Sequence, residues 1–209
     1  VGAHIGNTAM EYLKDFPLAE IHCFEPHATS FNIMRDCLSK NANFKFHNLA
    51  FSNTNETRFL NCNKSSDTNS FLKFSDDANQ LWGSDDLFVS CLQNEVQCST
   101  LDHFCFGNKI ERIDVLKLDC QGFEKHILEG SNQMLALQKI NLIFTEVSFK
   151  EIYENQTQFH EISSFLEENN FELFNFYDNI VKSAQLIQAD ALFINKDFKK
   201  NVPSLANFL

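Results

Sequence analysis

Short apolar runs alternate along this chain with segments whose apolar residues recur at helical spacing. Residues 21–25, 44–48, 113–119 and 140–147 are typical of buried strands, and residues 28–40 and 123–137 have the helical spacing. This alternation predicts an α/β fold with a doubly wound, mostly parallel sheet, an antiparallel closing strand and helices on both faces. In such a sheet, ligands bind beyond the carboxyl ends of the strands.

The remaining strand patterns are shorter. Residues 95–100 predict an edge strand, and residues 171–177 and 191–195 predict a closing pair whose short polar connection favours antiparallel pairing. Residues 52–98 are rich in Asn, Ser, Asp and Thr, which predicts a polar insertion or substrate-side region.

The composition favours a single acidic domain spanning residues 1–209. The chain has 28 acidic and 17 basic side chains, for a net charge of -11. This balance argues against a nucleic-acid partner, which requires clustered basic residues. No apolar run approaches the ~20 residues of a membrane-spanning helix. Seven Cys without a C-x-x-C pair predict reduced thiols in a cytoplasmic protein.

The sequence V-G-A-H-I-G at residues 1–6 is the first chemical signal. Small residues between a strand and a helix let the backbone turn sharply and approach a ligand closely. The spacing of Gly2 and Gly6 is not that of G-x-G-x-x-G, so a dinucleotide has less room, and a purely structural glycine turn is the alternative. Because the chain opens inside this loop, we expect most of the first strand to precede Val1, which leaves the domain incomplete at its N-terminal end.

Glu25 ends the next strand, about 20 residues after Gly6. An acidic side chain at this place can accept hydrogen bonds from both hydroxyls of a ribose, although a solvated carboxylate before a helix would give the same pattern. At the end of the third strand, the Asn48 side chain and the backbone up to Ala50 could hold an adenine edge, with local capping by Asn48 as the alternative. The glycine loop and Glu25 together indicate an adenosine-containing ligand.

The third signal is L-K-L-D-C-Q-G-F-E at residues 116–124. Asp119 leaves its strand beside the turn at Gly122, on the catalytic side of the crevice. There it can orient a substrate hydroxyl, accept its proton or hold a divalent metal. N-capping of the following helix by Asp119, with Glu124 favoured in the first turn by the helix dipole, is a compatible alternative.

These segments resemble a known family. V-G-A-H-I-G, C-F-E-P, H-N-L-A-F-S, T-L-D, K-L-D-C-Q-G-F-E and F-T-E-V occur in the order found in the FkbM family of S-adenosylmethionine-dependent methyltransferases, and the resemblance runs from Val1 to about Phe171. It implies a class I, Rossmann-like methyltransferase sheet. It also implies transfer of a methyl group to a hydroxyl oxygen, often on a sugar, another glycan or a natural product, with S-adenosylhomocysteine as the product.

The resemblance also assigns roles to residues. It implies that Gly2, Ala3 and Gly6 line the methionine end of the cofactor, that Glu25 holds its ribose and that Asp119 faces the reaction centre. The set predicted to bind the cofactor is completed by three further residues, His4, Asn48 and Ala50.

Two departures from the family pattern bear on the chemistry. His4 stands where the family usually carries Asn, and Gln121 stands where the block often reads D-V-E-G. Because Gln cannot serve as a base or as a charged metal ligand, we predict Asp119 and Glu146 as the catalytic pair. Asp119 would act as the base or the hydroxyl orienter, and Glu146, at the end of the adjacent strand, would support it.

The route of the proton stays open at this stage. A free carboxylate has a pKa of about 4, so it is a poor base unless burial raises its pKa or a metal acidifies the substrate. No metal is predicted, although a pair of carboxylates could hold a divalent ion. The histidines that could transfer the proton instead are His4, His22, His47, His103 and His126.

Two other functions compete with methyl transfer. The runner-up is an inactive nucleotide-binding or interaction module in which Gln121 marks lost activity. An NAD-dependent dehydrogenase is disfavoured by the loop spacing. For the methyltransferase we expect a small-molecule or glycan acceptor, no nucleic acid and no membrane span, and a homodimer is compatible with the sequence. Trp82 offers a flat surface on which a sugar could stack.

Overall fold

The computed structural model describes residues 1–82 and 89–202, except for the side chain of Cys91. The helices are α1 (Asn7–Asp15), α2 (Ala28–Leu38), α3 (Ala78–Trp82), α4 (Leu101–Gly107), α5 (Glu124–Glu129), α6 (Asn132–Ala136), α7 (Phe159–Glu168) and α8 (Lys196–Asn201). The strands are β1 (Ile21–Phe24), β2 (Phe44–His47), β3 (Ala50–Phe51), β4 (Glu56–Asn63), β5 (Ser90–Ser99), β6 (Ile113–Leu118), β7 (Ile140–Ser148), β8 (Phe171–Lys182) and β9 (Gln185–Asn195). Within the described ranges, no helix is long and apolar enough to cross a membrane.

The strands pair in three groups. β1 is parallel to β2, and β6 is parallel to β7. On the other side of β7, β9 and then β8 continue the sheet with antiparallel pairing, in the order β6-β7-β9-β8. The third group has the order β3-β5-β4, in which β5 is parallel to β3 and antiparallel to β4. The mixed α/β class predicted from the sequence is therefore confirmed, and so is the antiparallel closing pair.

Residues 1–3 lie between the sheet of β1 and the sheet of β6. The backbone nitrogens of Gly2 and Ala3 donate to the carbonyl of Phe24, the last residue of β1, at 3.0 and 2.9 Å. The Val1 nitrogen donates to the Lys117 carbonyl in β6 at 2.8 Å. The start of the chain thereby brings the carboxyl ends of β1 and β6 to one edge. The strand pairs described above do not join into one continuous, mostly parallel sheet. The doubly wound parallel sheet therefore stays a prediction.

Aromatic and aliphatic side chains fill the space between strands and helices. The largest buried cluster includes Leu118 and Ile143 from β6 and β7 together with Ile127 from α5 and Leu166 from α7. Phenylalanines extend this cluster toward β1, where the Phe24 ring packs at 4.7 Å from Phe51 and 4.8 Å from Phe104. Aromatic pairs in these tilted and edge-to-face geometries add to the stabilisation from burial.

Two expectations about individual elements are wrong. The strand at residues 95–100 is not an edge strand, because β5 lies between β3 and β4 and both of its sides are hydrogen-bonded. The single helix expected over residues 123–137 is two helices, α5 and α6, separated at Gly130 and Ser131. Gly130 packs so closely on the backbone of Ser52 that a Cβ would lie 2.2 Å from its carbonyl oxygen. The chain just after β3 therefore packs closely against the break between α5 and α6.

Candidate active site

The glycine loop (residues 1–6) is pressed against the turn that follows β6. Gly2 has a φ of +74°, in the left-handed region, and a Cβ at this position would lie 1.8 Å from the Asp119 carbonyl oxygen. Only glycine fits such an approach without a shift of the backbone. The loop therefore needs Gly2 to bring its backbone next to Asp119.

Gly6 closes the same loop and begins α1. Its φ is +89°, and a Cβ would lie 2.7 Å from the Leu38 side chain and 3.0 Å from that of Met34, both on α2. The loop backbone thus turns sharply at both of its glycines. His4, between them, also has a positive φ, 47°. Gly6 shapes the loop from behind and does not itself line the cleft described below.

Glu25 is held by backbone groups alone. It is buried, with 7% of its surface exposed. Its two carboxylate oxygens accept one backbone N–H each, from His4 at 2.8 Å and from His27 at 2.9 Å. Burial raises the pKa of Glu25 and these two N–H groups oppose the rise. Each oxygen keeps acceptor capacity, so the carboxylate can also accept hydrogen bonds from a ligand with neighbouring hydroxyls.

Asn48 supports the turn after Glu25. Its amide nitrogen donates to the backbone carbonyls of Glu25 and Pro26, at 2.8 and 3.0 Å. Because both amide protons are used in this way, the side chain is directed at the backbone, and Asn48 does not line the cleft. Ala50 does line it. The role of these two residues with an adenine remains a prediction.

Asp119 directly follows β6, and Glu146 lies within the last part of the neighbouring parallel strand β7, so the two come together at the carboxyl end of this strand pair. The pairing of Leu118 in β6 with Thr145 in β7 sets their side-by-side placement. Asp119 Oδ1 accepts a hydrogen bond from Gln121 Nε2 at 2.9 Å, and the same nitrogen lies 3.5 Å from Glu146 Oε1. We call Asp119, Gln121 and Glu146 the carboxylate–amide cluster.

Gln121 is central to this cluster in a way that sequence reasoning missed. Its backbone is left-handed, with φ 54°, and its Oε1 lies 2.8 Å from the hydroxyl of buried Tyr153, which is also 3.0 Å from the Thr68 carbonyl. The Tyr153 proton can be donated to either acceptor. An amide nitrogen facing two carboxylates and an amide oxygen facing a hydroxyl is a matched set of donors and acceptors. The only sequence signal was Gln121 itself, a neutral residue where the family often has an acid.

Electrostatics at this end are dominated by buried acids. Burial, then Asp119 and Glu124, raise the pKa of Glu146 well above its ordinary value. Burial also raises the pKa of Glu124 to about 7. Glu124 lies under the turn, and its Oε1 accepts the backbone N–H of Cys120 at 2.7 Å and of Gly122 at 3.3 Å. Glu124 therefore shapes the turn that carries Asp119 and Gln121.

One cation lies beside the acids. Lys117 Nζ donates to Asp190 at 2.7 Å and lies 3.9 Å from Asp119 Oδ2. Its side chain is only 13% exposed. Nearby Asp119 and Asp190 raise the pKa of Lys117 despite burial, which is the largest influence and acts in the lowering direction. Lys117 is thus a charged group whose closest partner is Asp190 in β9.

A polar segment, residues 66–70, covers the site. Ser66 Oγ lies 2.8 Å from His4 Nε2 in the glycine loop, and Ser70 Oγ donates to the Gln121 carbonyl at 2.7 Å. With the Tyr153–Thr68 contact, these bonds attach the segment to both ends of the site. We call residues 66–70 the roof segment.

The glycine loop, the strand ends and the roof segment enclose a cleft of about 440 Å³. Most of the predicted site residues line it, namely Gly2, Ala3, His4, Glu25, Ala50, Asp119 and Glu146. The roof segment and Trp82 also line it, which brings part of the polar 52–98 region to the cleft. The structure therefore places Glu25, the acid predicted to hold a ribose, and the pair Asp119 and Glu146 in one cavity.

The histidine alternatives lie mostly elsewhere. His22 and His47 stack on each other, with ring nitrogens 3.1 Å apart, and burial lowers the pKa of His47 to about 4. His126 stacks on Phe123 with ring centroids 4.1 Å apart. Of the five candidates, His4 alone lines the cleft. No group of three His, Cys, Asp or Glu side chains in the described part of the chain is arranged to hold a metal ion.

The glycine loop thus lies against Asp119, which follows β6, and Glu146 lies beside it in the neighbouring strand of an α/β fold. Comparison with known families gives the class of protein. The methyltransferase FkbM domain matches residues 1–173. The chain belongs to this family and is a methyltransferase, as the resemblance indicated.

A named relative agrees with the family. The chain is 27% identical over 181 residues to the 2-O-methyltransferase NoeI of Sinorhizobium fredii (strain NBRC 101917 / NGR234). The alignment covers 83% of this chain and 71% of that protein. No solved structure matches the chain.

Proposed function

We propose that this protein is an S-adenosylmethionine-dependent O-methyltransferase that methylates a hydroxyl group of a sugar, another glycan or a natural product. The observation that carries the proposal is the single cleft in which Glu25, the glycine loop and the Asp119–Glu146 pair meet. The family match and the oxygen-directed activity in the name of the relative support it.

The residues present fit this cofactor. Gly2 and Gly6 lack the Cβ that would meet the Asp119 carbonyl and the Leu38 side chain, so the loop can turn tightly beside Asp119, and Gly2, Ala3 and His4 line the cleft. Glu25, whose orientation is fixed by two backbone N–H groups, would accept hydrogen bonds from the ribose hydroxyls. The loop would hold the methionine end. When bound, S-adenosylmethionine supplies an electrophilic methyl group.

The carboxylate–amide cluster would orient the acceptor hydroxyl and accept its proton. Methyl transfer needs the hydroxyl oxygen within ~3–3.5 Å of the methyl carbon and in line with the bond that breaks. Asp119, 38% exposed in its side chain, can accept the hydroxyl proton's hydrogen bond and orient the oxygen. Burial raises the pKa of Glu146, so its carboxylate would be a stronger base than that of an ordinary, solvent-exposed Glu. Gln121 would hold both carboxylates in position.

The roof segment supports a hydroxyl-rich acceptor. Three of its side chains, Ser66, Thr68 and Ser70, carry hydroxyls, and Trp82 adds an aromatic surface to the same cleft. The Thr68 and Ser70 hydroxyls already donate to the Ser65 and Gln121 carbonyls, so they can serve a sugar as acceptors, and an indole suits stacking on a sugar face. The cleft would also exclude water, because the roof segment is bonded to both of its ends.

A calorimetric titration with S-adenosylmethionine, followed by mass-spectrometric detection of products on a panel of sugars and glycosides, tests the proposal. We expect binding and a mass gain of one methyl group on an acceptor hydroxyl. Asp119→Asn and Glu146→Gln should keep binding of S-adenosylhomocysteine and reduce turnover at saturating S-adenosylmethionine by about a hundredfold or more. The matched control is Asp114→Asn, at the opposite end of β6, which should retain turnover.

Two outcomes would contradict the proposal. Binding of NAD without binding of S-adenosylmethionine would favour a dehydrogenase. Tight binding of S-adenosylmethionine with no turnover on the whole panel would favour the inactive binding module.

A further inference from the structure

The reaction end of the cleft is lined by carboxylates and, among the described residues, by no Lys or Arg side chain. Asp119, Glu146 and, on the roof segment, Asp67 line it. Among the described residues that line the cleft there is no Lys or Arg. Residues 83–88 and 203–209, which lie outside the described ranges, contain no Lys or Arg either. The described side chains that a ligand would meet at this end are therefore carboxylates and neutral groups.

Two nearby cationic side chains, Lys117 and Arg58, make their shortest ion pairs with other acids, although Lys117 Nζ also lies 3.9 Å from Asp119 Oδ2. Lys117 pairs with Asp190 at 2.7 Å. Arg58 pairs with Glu56 at 2.9 Å, and its guanidinium lies over the Phe123 ring at 4.9 Å. They thus neutralise other acids and leave the charge of the carboxylate–amide cluster only partly compensated.

We propose that the carboxylate–amide cluster is a charge-selective subsite, which binds the positive sulfonium of S-adenosylmethionine in preference to the neutral sulfur of S-adenosylhomocysteine. The inference rests on the proposed function, because the sulfonium must lie next to the reacting hydroxyl. Its consequence is weak product inhibition: once the methyl group has left, the charge that favoured binding has left with it.

The geometry makes this preference strong. Gly2 packs directly on the Asp119 carbonyl, so a ligand held by the glycine loop lies beside the cluster. A positive charge close to partly buried carboxylates is attracted more strongly than it would be in bulk water. We therefore expect a preference of about tenfold or more.

Proton release accompanies the selection. The titratable and charged groups that face Glu146 from the packed elements are Lys117, Asp119, Glu124, Tyr153 and Asp190. A cation placed beside Glu146 favours its charged form and lowers a pKa that burial has raised. Binding of the sulfonium should then release protons, and its affinity should rise with pH through the range in which Glu146 titrates. The affinity for the neutral thioether should change less.

The test uses three ligands that differ at one position. S-adenosylmethionine carries a sulfonium, sinefungin carries an amine in its place, and S-adenosylhomocysteine carries a neutral sulfur. Isothermal titration calorimetry on the whole chain at pH 7.5, in two buffers with different ionisation enthalpies, gives the affinities and the protons released. We expect both cationic ligands to bind about tenfold or more tighter than S-adenosylhomocysteine, with proton release only for the cations.

Variants assign the effect to the cluster. Glu146→Gln and Asp119→Asn should bring the affinity ratio of S-adenosylmethionine to S-adenosylhomocysteine towards one while the affinity for the neutral ligand is kept. Asp114→Asn, which removes a carboxylate at the far end of β6, should leave the ratio unchanged. Equal or tighter binding of S-adenosylhomocysteine by the unsubstituted protein would overturn the inference, and so would an unchanged ratio in both cluster variants. Failure of all three ligands to bind would instead refute the proposed function.

Discussion

The two ends of the cleft are built from different chemistry. At the glycine loop, the geometry depends on the backbone: two glycines at positive φ make the turns, and Glu25 is held by the N–H groups of His4 and His27. At the carboxylate–amide cluster, the geometry depends on side chains, with Gln121 between Asp119 and Glu146.

This difference separates recognition from chemistry. A backbone-built site keeps its shape across pH but tolerates almost no added atom, because a Cβ at Gly2 would overlap Asp119. A side-chain network accepts conservative substitutions but depends on the protonation of its members. The loop end should therefore respond to steric changes, and the cluster end to changes of charge and pH.

The largest effect is expected from Gly2→Ala. The added Cβ would lie 1.8 Å from the Asp119 carbonyl oxygen on a residue with φ +74°, so the loop must move away from the turn. We expect the affinity for S-adenosylmethionine, measured by calorimetry, to fall by about a thousandfold.

Gly107→Ala is the matched control for this change. At Gly107, the last residue of α4, an added Cβ meets no atom within 4 Å, and we expect unchanged affinity. Wild-type affinity in Gly2→Ala, or an equal loss in both variants, would show that the close approach does not shape the cofactor site.

Glu124→Gln tests the dependence of the cluster end on protonation. Burial raises the Glu124 pKa from 4.5 to about 7, so its contribution to stability is full below pH 4.5 and is lost as the pH rises through 7. Relative to this variant, the wild type should lose about 3 kcal/mol of unfolding free energy between pH 4.5 and pH 8. Urea denaturation at several pH values measures both profiles, and parallel profiles would contradict the expectation.

The smallest effect is expected from Glu25→Gln. The amide replaces one of two carboxylate oxygens, so one backbone N–H, of His4 or His27, loses its acceptor and the ribose contact weakens. We expect about tenfold weaker binding of S-adenosylmethionine by calorimetry. Glu20→Gln, an exposed acid just before β1, is the control and should bind as the wild type does. A loss of similar size in the control would argue against a specific role of Glu25.

Local patterns predicted the ends of β1 and β6 to within one residue, whereas β7 continues past Glu146 to Ser148. Apolar runs that end at Glu25, Asp119 and near Glu146 placed these acids at one edge of an α/β sheet, because the carboxyl ends of parallel strands share an edge. The small residues of the glycine loop predicted its turns for the same local reason. Whether the strands join into one mostly parallel sheet, with a further strand before Val1, depends on pairing between segments that are distant in sequence. Periodicity does not determine such pairing.

The contacts around Gln121 could not be predicted. They require a left-handed backbone at that residue and a hydroxyl from Tyr153, 32 positions further along the chain. The break between α5 and α6 likewise depends on the packing of Gly130 against Ser52. Both features arise from tertiary contacts, which act over distances in sequence that no local pattern reports.

A crystal structure of the chain with bound S-adenosylhomocysteine tests the central claim most directly. The account predicts the ribose hydroxyls on the Glu25 carboxylate, the methionine end along the glycine loop and the sulfur facing Asp119 and Glu146. A ligand bound outside this cleft, or one with its ribose away from Glu25, would contradict it.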